Sequence, residues 1–282
     1  MKYLTQTTDI TSEKIKDLDY GRVVLDTTTG SVYILGYGIK YQTVDLGLTS
    51  GTLWMDRHVG AEEITDSGLF FAWGETQGYT AEEIGVSRQF IKSEYKYYDS
   101  SSNSYTKYNG SDGLTTLEET DDAAFQTTHK FYMPTIEQCV ELLMETDVYL
   151  IKADGTEIHG TFNNYYVRWD SEEERIDEIS GVEFRKKDDN RIKLFIPASG
   201  YASNGQMDAV GYFGFLFANS LTDKYIDNGL GMWLNYDGYS ANGSGFYRCD
   251  GCCVRGVVAA STNVSDEVAE ATAKAIRNSY PK

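Results

Sequence analysis

The chain has 282 residues, with 43 Asp and Glu against 25 Lys and Arg, for a formal net charge of −18. That balance argues against a nucleic-acid binder, whose phosphate contacts need a basic face, and disfavours docking to an anionic membrane surface. No apolar run approaches the ~20 residues of a membrane helix, so no membrane insertion is expected. Aromatics make up 13% of the chain, with 22 Tyr and only 3 Pro, a composition that suits many short strands and tight turns.

In chain order, residues 1–40 read as a leader or anchor. Ser12 is a candidate N-cap for a short helical turn carrying Ile15 and Leu18. RVVLD and SVYIL then flank Thr27-Thr28-Thr29-Gly30, which predicts a β-hairpin. A hairpin of this size is not stable alone and needs the main domain, a copy of itself or a partner. The opening stretch MKYLTQTTDITSEK has no basic region followed by an apolar one. The expectation is a protein made in a cytoplasm that stays there or leaves by lysis, as virion proteins do.

Residues 41–260 read as the main domain. Its clearest helix follows Met133-Pro134-Thr135. Thr135 with Gln138 forms a capping box, and Ile136, Cys139, Val140 and Leu143 recur on one face. Ile192, Leu194 and Ile196 alternate before Pro197, which predicts a half-buried strand. The stretches 99–113 and 170–178 are polar loops. Residues 261–282 read as a helical tail, with Asp266 and Glu267 in its first turn and Lys274 and Arg277 in its last. Val268, Ala271, Ala275 and Ile276 form a narrow stripe able to dock on the domain or on a sister subunit.

Several segments carry a resemblance. The stretch 44–76 reads VDLGLTSGTLWMDRHVGAEEITDSGLFFAWGET. Later come Asp121-Asp122-Ala123-Ala124, Met133-Pro134-Thr135, Phe195 to Tyr201 (FIPASGY), Gly211-Tyr212-Phe213-Gly214 and Val254-Arg255-Gly256-Val257. In this order they resemble the Fibrobacter succinogenes major paralogous domain family, found in Bacteroidota and their phages. The resemblance covers about residues 43–258 and implies a C-type-lectin-like fold. Two departures stand out: Leu216-Phe217-Ala218-Asn219-Ser220 replaces the family's Trp-Ser-Ser-Thr run, and Gly256 replaces its closing proline. Within the matched motifs Trp54 and Trp73 read as core, and Gly68, Gly74, Gly200 and Gly214 as turns or close backbone approaches.

Candidate chemistry is sparse. Cys249-Asp250-Gly251-Cys252-Cys253 contains a metal-ligand spacing, but Cys139 is the one other cysteine and His58, His129 and His159 are scattered. Plain thiols are the favoured reading, ahead of a disulfide and of metal or redox chemistry, so no cofactor is expected. A catalytic cysteine pair of the formylglycine-generating kind is a third function class, with spacing as its sole support. The proline-containing tripeptide of a calcium lectin is missing, and Trp233 to Asp237 matches the other calcium motif loosely. Glu62-Glu63, Glu82-Glu83 and Glu172-Glu173-Glu174 read as solvated acids.

Tyr-, Asn- and Gly-rich loops are the better binding candidates, because Tyr buries much area at low entropic cost and stacks on sugar rings. The expected ligand-binding set is Asn235, Tyr236, Tyr239, Asn242, Phe246 and Tyr247; the competing reading puts half of these rings in the core. Tyr95, Tyr97 and Tyr98 around Lys96 form a second, weaker set that also reads as a strand alternating inward and outward. Together these readings predict an α+β, C-type-lectin-like domain with an N-terminal hairpin and a C-terminal helix. The expected role is a non-enzymatic bacteriophage virion protein (head-fibre, decoration or tail-associated). Its expected partners are other virion proteins, sister subunits and a bacterial surface glycan. The alternative is a bacterial cell-surface adhesin or glycan-binding module.

Overall fold

Strand outweighs helix along the chain, giving an α+β or mostly-β architecture. The computed structural model describes residues 4–7, 23–26, 32–34, 41–86, 89–163, 166–171, 178–222, 226–235, 239–240 and 246–259. The chain divides into two units, Met1–Gln42 and Thr43–Lys282. The expected helical turn after Ser12, the acidic stretch 172–177 and the helical tail from residue 261 lie outside the described residues.

In the first unit Val23–Asp26 pairs antiparallel with Val32–Ile34, with Val24 opposite Tyr33, so the two runs around Thr27 to Gly30 do form a ladder. Leu4–Thr7 adds a third strand, parallel to Val23–Asp26, which the sequence pattern did not signal.

The second unit is built on two larger sheets. The six-stranded sheet runs Asp189–Pro197, Ile179–Lys186, Thr146–Lys152, Glu157–Phe162, Tyr166–Trp169 and Tyr239–Ser240, all antiparallel. The five-stranded sheet runs Phe246–Tyr247, Asn228–Asn235, Phe213–Leu221, Cys252–Cys253 and Phe70–Phe71. A third, small sheet pairs Thr52–Met55 with both Thr43–Val44 and Val257–Ala259, so the first and last described strands of this unit share a partner.

Local chemistry sets the helix starts. Thr135 accepts from the Gln138 backbone N–H while the Gln138 side chain accepts from Thr135, so the expected capping box is complete. The helix Ile136–Glu145 buries Cys139, Val140, Leu142 and Leu143 and packs against Phe213–Leu221 and Asn228–Asn235. Its Glu141 is also buried, and accepts from the Ser50 N–H at 2.7 Å and the Ser50 hydroxyl at 2.6 Å. Asp122 caps the helix Ala123–Thr128 through the Phe125 N–H. Its other oxygen accepts from the Met133 N–H at 2.9 Å, which fixes the approach to the longer helix.

Trp54 and Trp73 are fully buried, and the Trp73 indole donates to the Ala218 carbonyl at 3.0 Å. Gly200 has φ +68, and a Cβ there would lie 2.1 Å from the Asp208 carbonyl oxygen, so only glycine fits this turn. Gly214 bridges to Gly200, and a Cβ on it would come within 2.8 Å of the Pro197 carbonyl. Arg255 is buried too, donating to the carbonyls of Met55 at 3.1 Å and Phe195 at 2.9 Å. Burial pushes its guanidinium down to about 9, against the opposing charge of Asp56.

Candidate functional site

The described members of the aromatic set expected near residues 235–247 do not all converge. Tyr236 and Asn242 lie outside the described residues. Asn235 ends the Asn228–Asn235 strand opposite Phe213, whereas Tyr247 pairs with Asn228 at the strand's other end. Seven residues of strand, at ~3.3 Å each, separate those positions by roughly 23 Å. Tyr239 pairs with Val167 on the edge of the other sheet. Phe246 corrects the expectation directly, being 5% exposed. Its ring centroid lies 4.4 Å from Phe215, 4.7 Å from Tyr201 and 5.1 Å from Trp233. With Phe213 at 5.9 Å, four large rings leave it no face for a ligand. Tyr247, 57% exposed, remains at the surface.

The second aromatic set assembles more. Tyr95 and Tyr97 turn inward, at 4% and 5% exposure, while Tyr98 stays half-buried. Tyr98–Asp99 and Ser104–Tyr105 form a hairpin in which Tyr98 faces Tyr105, with ring centroids 5.4 Å apart. Asp99 shapes the turn by accepting from the Ser101 N–H at 2.9 Å and the Ser102 hydroxyl at 2.6 Å. Asn103 closes it in the left-handed region, φ 52, a conformation Asn tolerates.

Beside this hairpin opens a groove of ≈ 500 Å³, lined by Tyr98 and Tyr105 together with Lys92, Asn103, Asn109 and Asp227. That volume falls within the usual range for small-molecule sites. The Lys92 ammonium lies 4.9 Å from the Tyr98 ring centre and 5.5 Å from that of Tyr105. It donates to Asp227 Oδ1 at 3.0 Å, and the Tyr105 hydroxyl donates to the same oxygen at 2.5 Å. Tyr98 donates its hydroxyl to Asn103 Oδ1. Asn109 has a structural task, giving its amide to the Tyr105 carbonyl at 3.1 Å and accepting from the Ser111 N–H at 2.9 Å.

The charges are fixed by these contacts. Burial alone would raise the Asp227 carboxyl, but the bonds from Tyr105 and Lys92 outweigh it and hold it below the usual carboxylate range. The bond to Asp227 raises Lys92 in turn. At neutral pH the groove therefore holds a closed ion pair.

Arg248 holds the groove's two walls together from beneath. It is 0% exposed, and its guanidinium lies 4.2 Å from the Tyr105 ring centre. It donates to the carbonyls of Lys107 at 3.0 Å, Tyr108 at 3.0 Å and Ile226 at 3.4 Å, and to the Tyr95 hydroxyl at 3.0 Å. Neutral oxygens and aromatic faces thus solvate the cation. Alongside, Asp121 accepts from Lys96 at 3.1 Å, Lys107 at 2.5 Å and Tyr108 at 2.8 Å. Burial opposes its ionisation, but these donors win and keep it well below the usual range.

The four cysteines are all buried and free. Burial pushes the Cys249 and Cys253 thiols up to about 12, which suppresses thiolate chemistry. His58 is buried, His129 ends a helix in the left-handed region and His159 pairs with Asp170 at 2.8 Å. Among the described residues no group of three His, Cys, Asp or Glu could hold a metal ion. A smaller cavity of ≈ 240 Å³ includes Glu75, Glu94 and Cys249 in its lining. Comparison with protein families, with curated proteins and with solved structures finds no match for this chain.

Proposed function

We propose that this chain is a saccharide-binding module of a bacteriophage virion, carried on a C-type-lectin-like domain and engaging its ligand in the Tyr98–Tyr105 groove. The groove itself carries the reading. Two half-buried tyrosine rings, their planes 64° apart, offer apolar contact to sugar C–H groups, while carboxylate, amide and ammonium groups around them match sugar hydroxyls. Support for the lectin-like fold comes from the order of the matched sequence motifs. Several mark structural joints: Asp122 and Thr135 cap helices, Gly200 makes a turn, and Val257 begins the closing strand. The residues 1–40 and 265–280 are assigned to attachment on the particle or on sister subunits.

Titrating the full chain with an oligosaccharide panel, followed by saturation-transfer NMR, tests the binding. Signal transfer to sugar protons that Tyr98→Ala reduces about tenfold is the expected outcome, and silence across the panel would overturn it. Immunolabelling of purified phage particles tests the display. Absence from particles would remove the virion assignment and leave a bacterial surface adhesin using the same groove.

A further inference from the structure

The groove's charge is spent internally, and that restricts what it can take. Among the described residues Lys92 and Asp227 are the charged side chains lining the groove, and they pair at 3.0 Å, with the Arg248 guanidinium covered by the Tyr105 ring at 4.2 Å. The hydrogen-bonding capacity is not spent. Asp227 Oδ1 receives both Lys92 and Tyr105, while Oδ2 has no donor among the described residues. Asn103 uses its carbonyl oxygen on Tyr98 and keeps its amide hydrogens. The Lys92 ammonium has three hydrogens, one of them directed at Asp227.

We propose that the groove selects an uncharged hexose, with Asp227 Oδ2 accepting from one sugar hydroxyl while Asn103 and Lys92 donate to hydroxyl oxygens flanking it. This deepens the saccharide reading and rests on it. A hydroxyl donates and accepts at once, so an acceptor set between donors suits a pair of neighbouring hydroxyls. The rings of Tyr98 and Tyr105, 64° apart, then give the sugar's C–H groups apolar contact from two directions, and Ile226, 38% exposed, adds more.

A carboxylated or sulfated sugar meets the opposite situation. To accept from the remaining Lys92 hydrogens it must sit beside Asp227, which places two anions side by side in a partly exposed groove. Like-charge juxtaposition of this kind is strongly unfavourable. The net charge of −18 adds long-range repulsion at low salt. Asp227 is therefore the specificity-determining residue, admitting hydroxyls and refusing anions.

Isothermal titration and saturation-transfer NMR on the full chain test this. The panel contains gluco-, galacto-, manno- and N-acetylhexosamine disaccharides, together with uronate-containing and sialylated counterparts, at about 20 and about 200 mM salt. Neutral sugars should bind, with affinity changing less than about twofold across that salt range. Asp227→Asn should weaken the neutral sugar about tenfold, the loss of one charge-assisted hydrogen bond. The same change frees Lys92 and should raise affinity for acidic sugars, a gain that mere loosening of the fold would not give. Acidic sugars binding the unaltered protein better than neutral ones would overturn the selectivity and leave the saccharide reading intact. No binding by any sugar, neutral or acidic, would overturn both.

Discussion

Two aromatic regions of this chain look alike in sequence and do opposite things. The Tyr95–Tyr108 stretch and the Trp233–Tyr247 stretch are both rich in rings, Asn, Ser and Gly. In the first, buried rings support a half-exposed pair: Tyr95, Tyr97 and Tyr108 are inside, and Tyr98 and Tyr105 line a groove. In the second, Phe246 and Phe213 close on Trp233, the latter stacked at 5.4 Å with an 8° angle between rings. What separates them is the polar company of the rings. Hydroxyls bonded to Asn103 and Asp227 keep Tyr98 and Tyr105 at a wet surface, whereas phenylalanine has no polar atom to hold it there.

The strongest way to break the comparison is to cut into the buried stack. Phe246→Ala removes a ring in contact with four others and should cost about 3–5 kcal/mol in urea unfolding. Tyr98→Ala should cost about 1 kcal/mol or less, its ring being half-buried. Equal losses would mean that the groove is core as well.

Arg248→Met is the next largest change and the one that joins the two regions. It strands the carbonyls of Lys107 and Tyr108, each bonded at 3.0 Å by the guanidinium. The expected stability loss is about 3 kcal/mol. Because these bonds tie the hairpin side to the Ile226 side, saccharide affinity should fall by about tenfold even where unfolding shows the protein folded. Retained affinity would show that the groove keeps its shape without the guanidinium.

Two acids that border these regions, Asp227 at the groove and Asp250 just past Tyr247, shift in opposite directions, and pH separates them. Asp227 is held low by Lys92 and Tyr105. Asp250 is 5% exposed, and burial pushes its carboxyl up to about 6 against a bond from Ser203. With a folded value above the ordinary 3.8, the folded chain binds more protons here than the unfolded chain between about pH 4 and 6. Stability associated with Asp250 is therefore full below about pH 4 and lost as pH rises through 6. Asp250→Asn should stabilise the protein at pH 7 by up to about 3 kcal/mol, with the gain disappearing near pH 4. Urea midpoints at the two pH values check it, and a gain of equal size at both would exclude the buried carboxylate as its source.

How much of this is visible in the sequence depends on the distance over which each contact acts. The Thr135 capping box, the Val23–Ile34 ladder and the alternation ending at Ile196 are set by residues within a turn or a strand of one another, and local pattern captures them. The groove is not local: Lys92 meets Asp227 across 135 positions, and Arg248 meets Tyr108 across 140. Lys92 and Asp227 also carry no motif that marks them as partners. Phe246 misleads for a different reason. Its strand, Phe246–Tyr247, has only two residues, too few for alternation to show which side chain turns inward. Glu141 is similar, reading as the polar face of a helix until Ser50, 91 positions away, arrives to donate to it.

Tyr247 gives the smallest expected effect and the sharpest edge to the comparison. Among the described residues it is the exposed ring of the second region, and it stands opposite Asn228, next to the groove residue Asp227. The Arg248 N–H bonds to the Asp227 carbonyl at 2.8 Å, so the two segments run side by side. Tyr247 nevertheless does not line the groove, and no ring partner fixes it among the described residues. Tyr247→Ala should therefore change unfolding stability by no more than about 0.5 kcal/mol and leave saccharide affinity unaltered. If affinity drops instead, the ligand extends past Asp227 along the strand edge. The second region would then contribute to binding through Tyr247, with the boundary between the two regions falling inside the site.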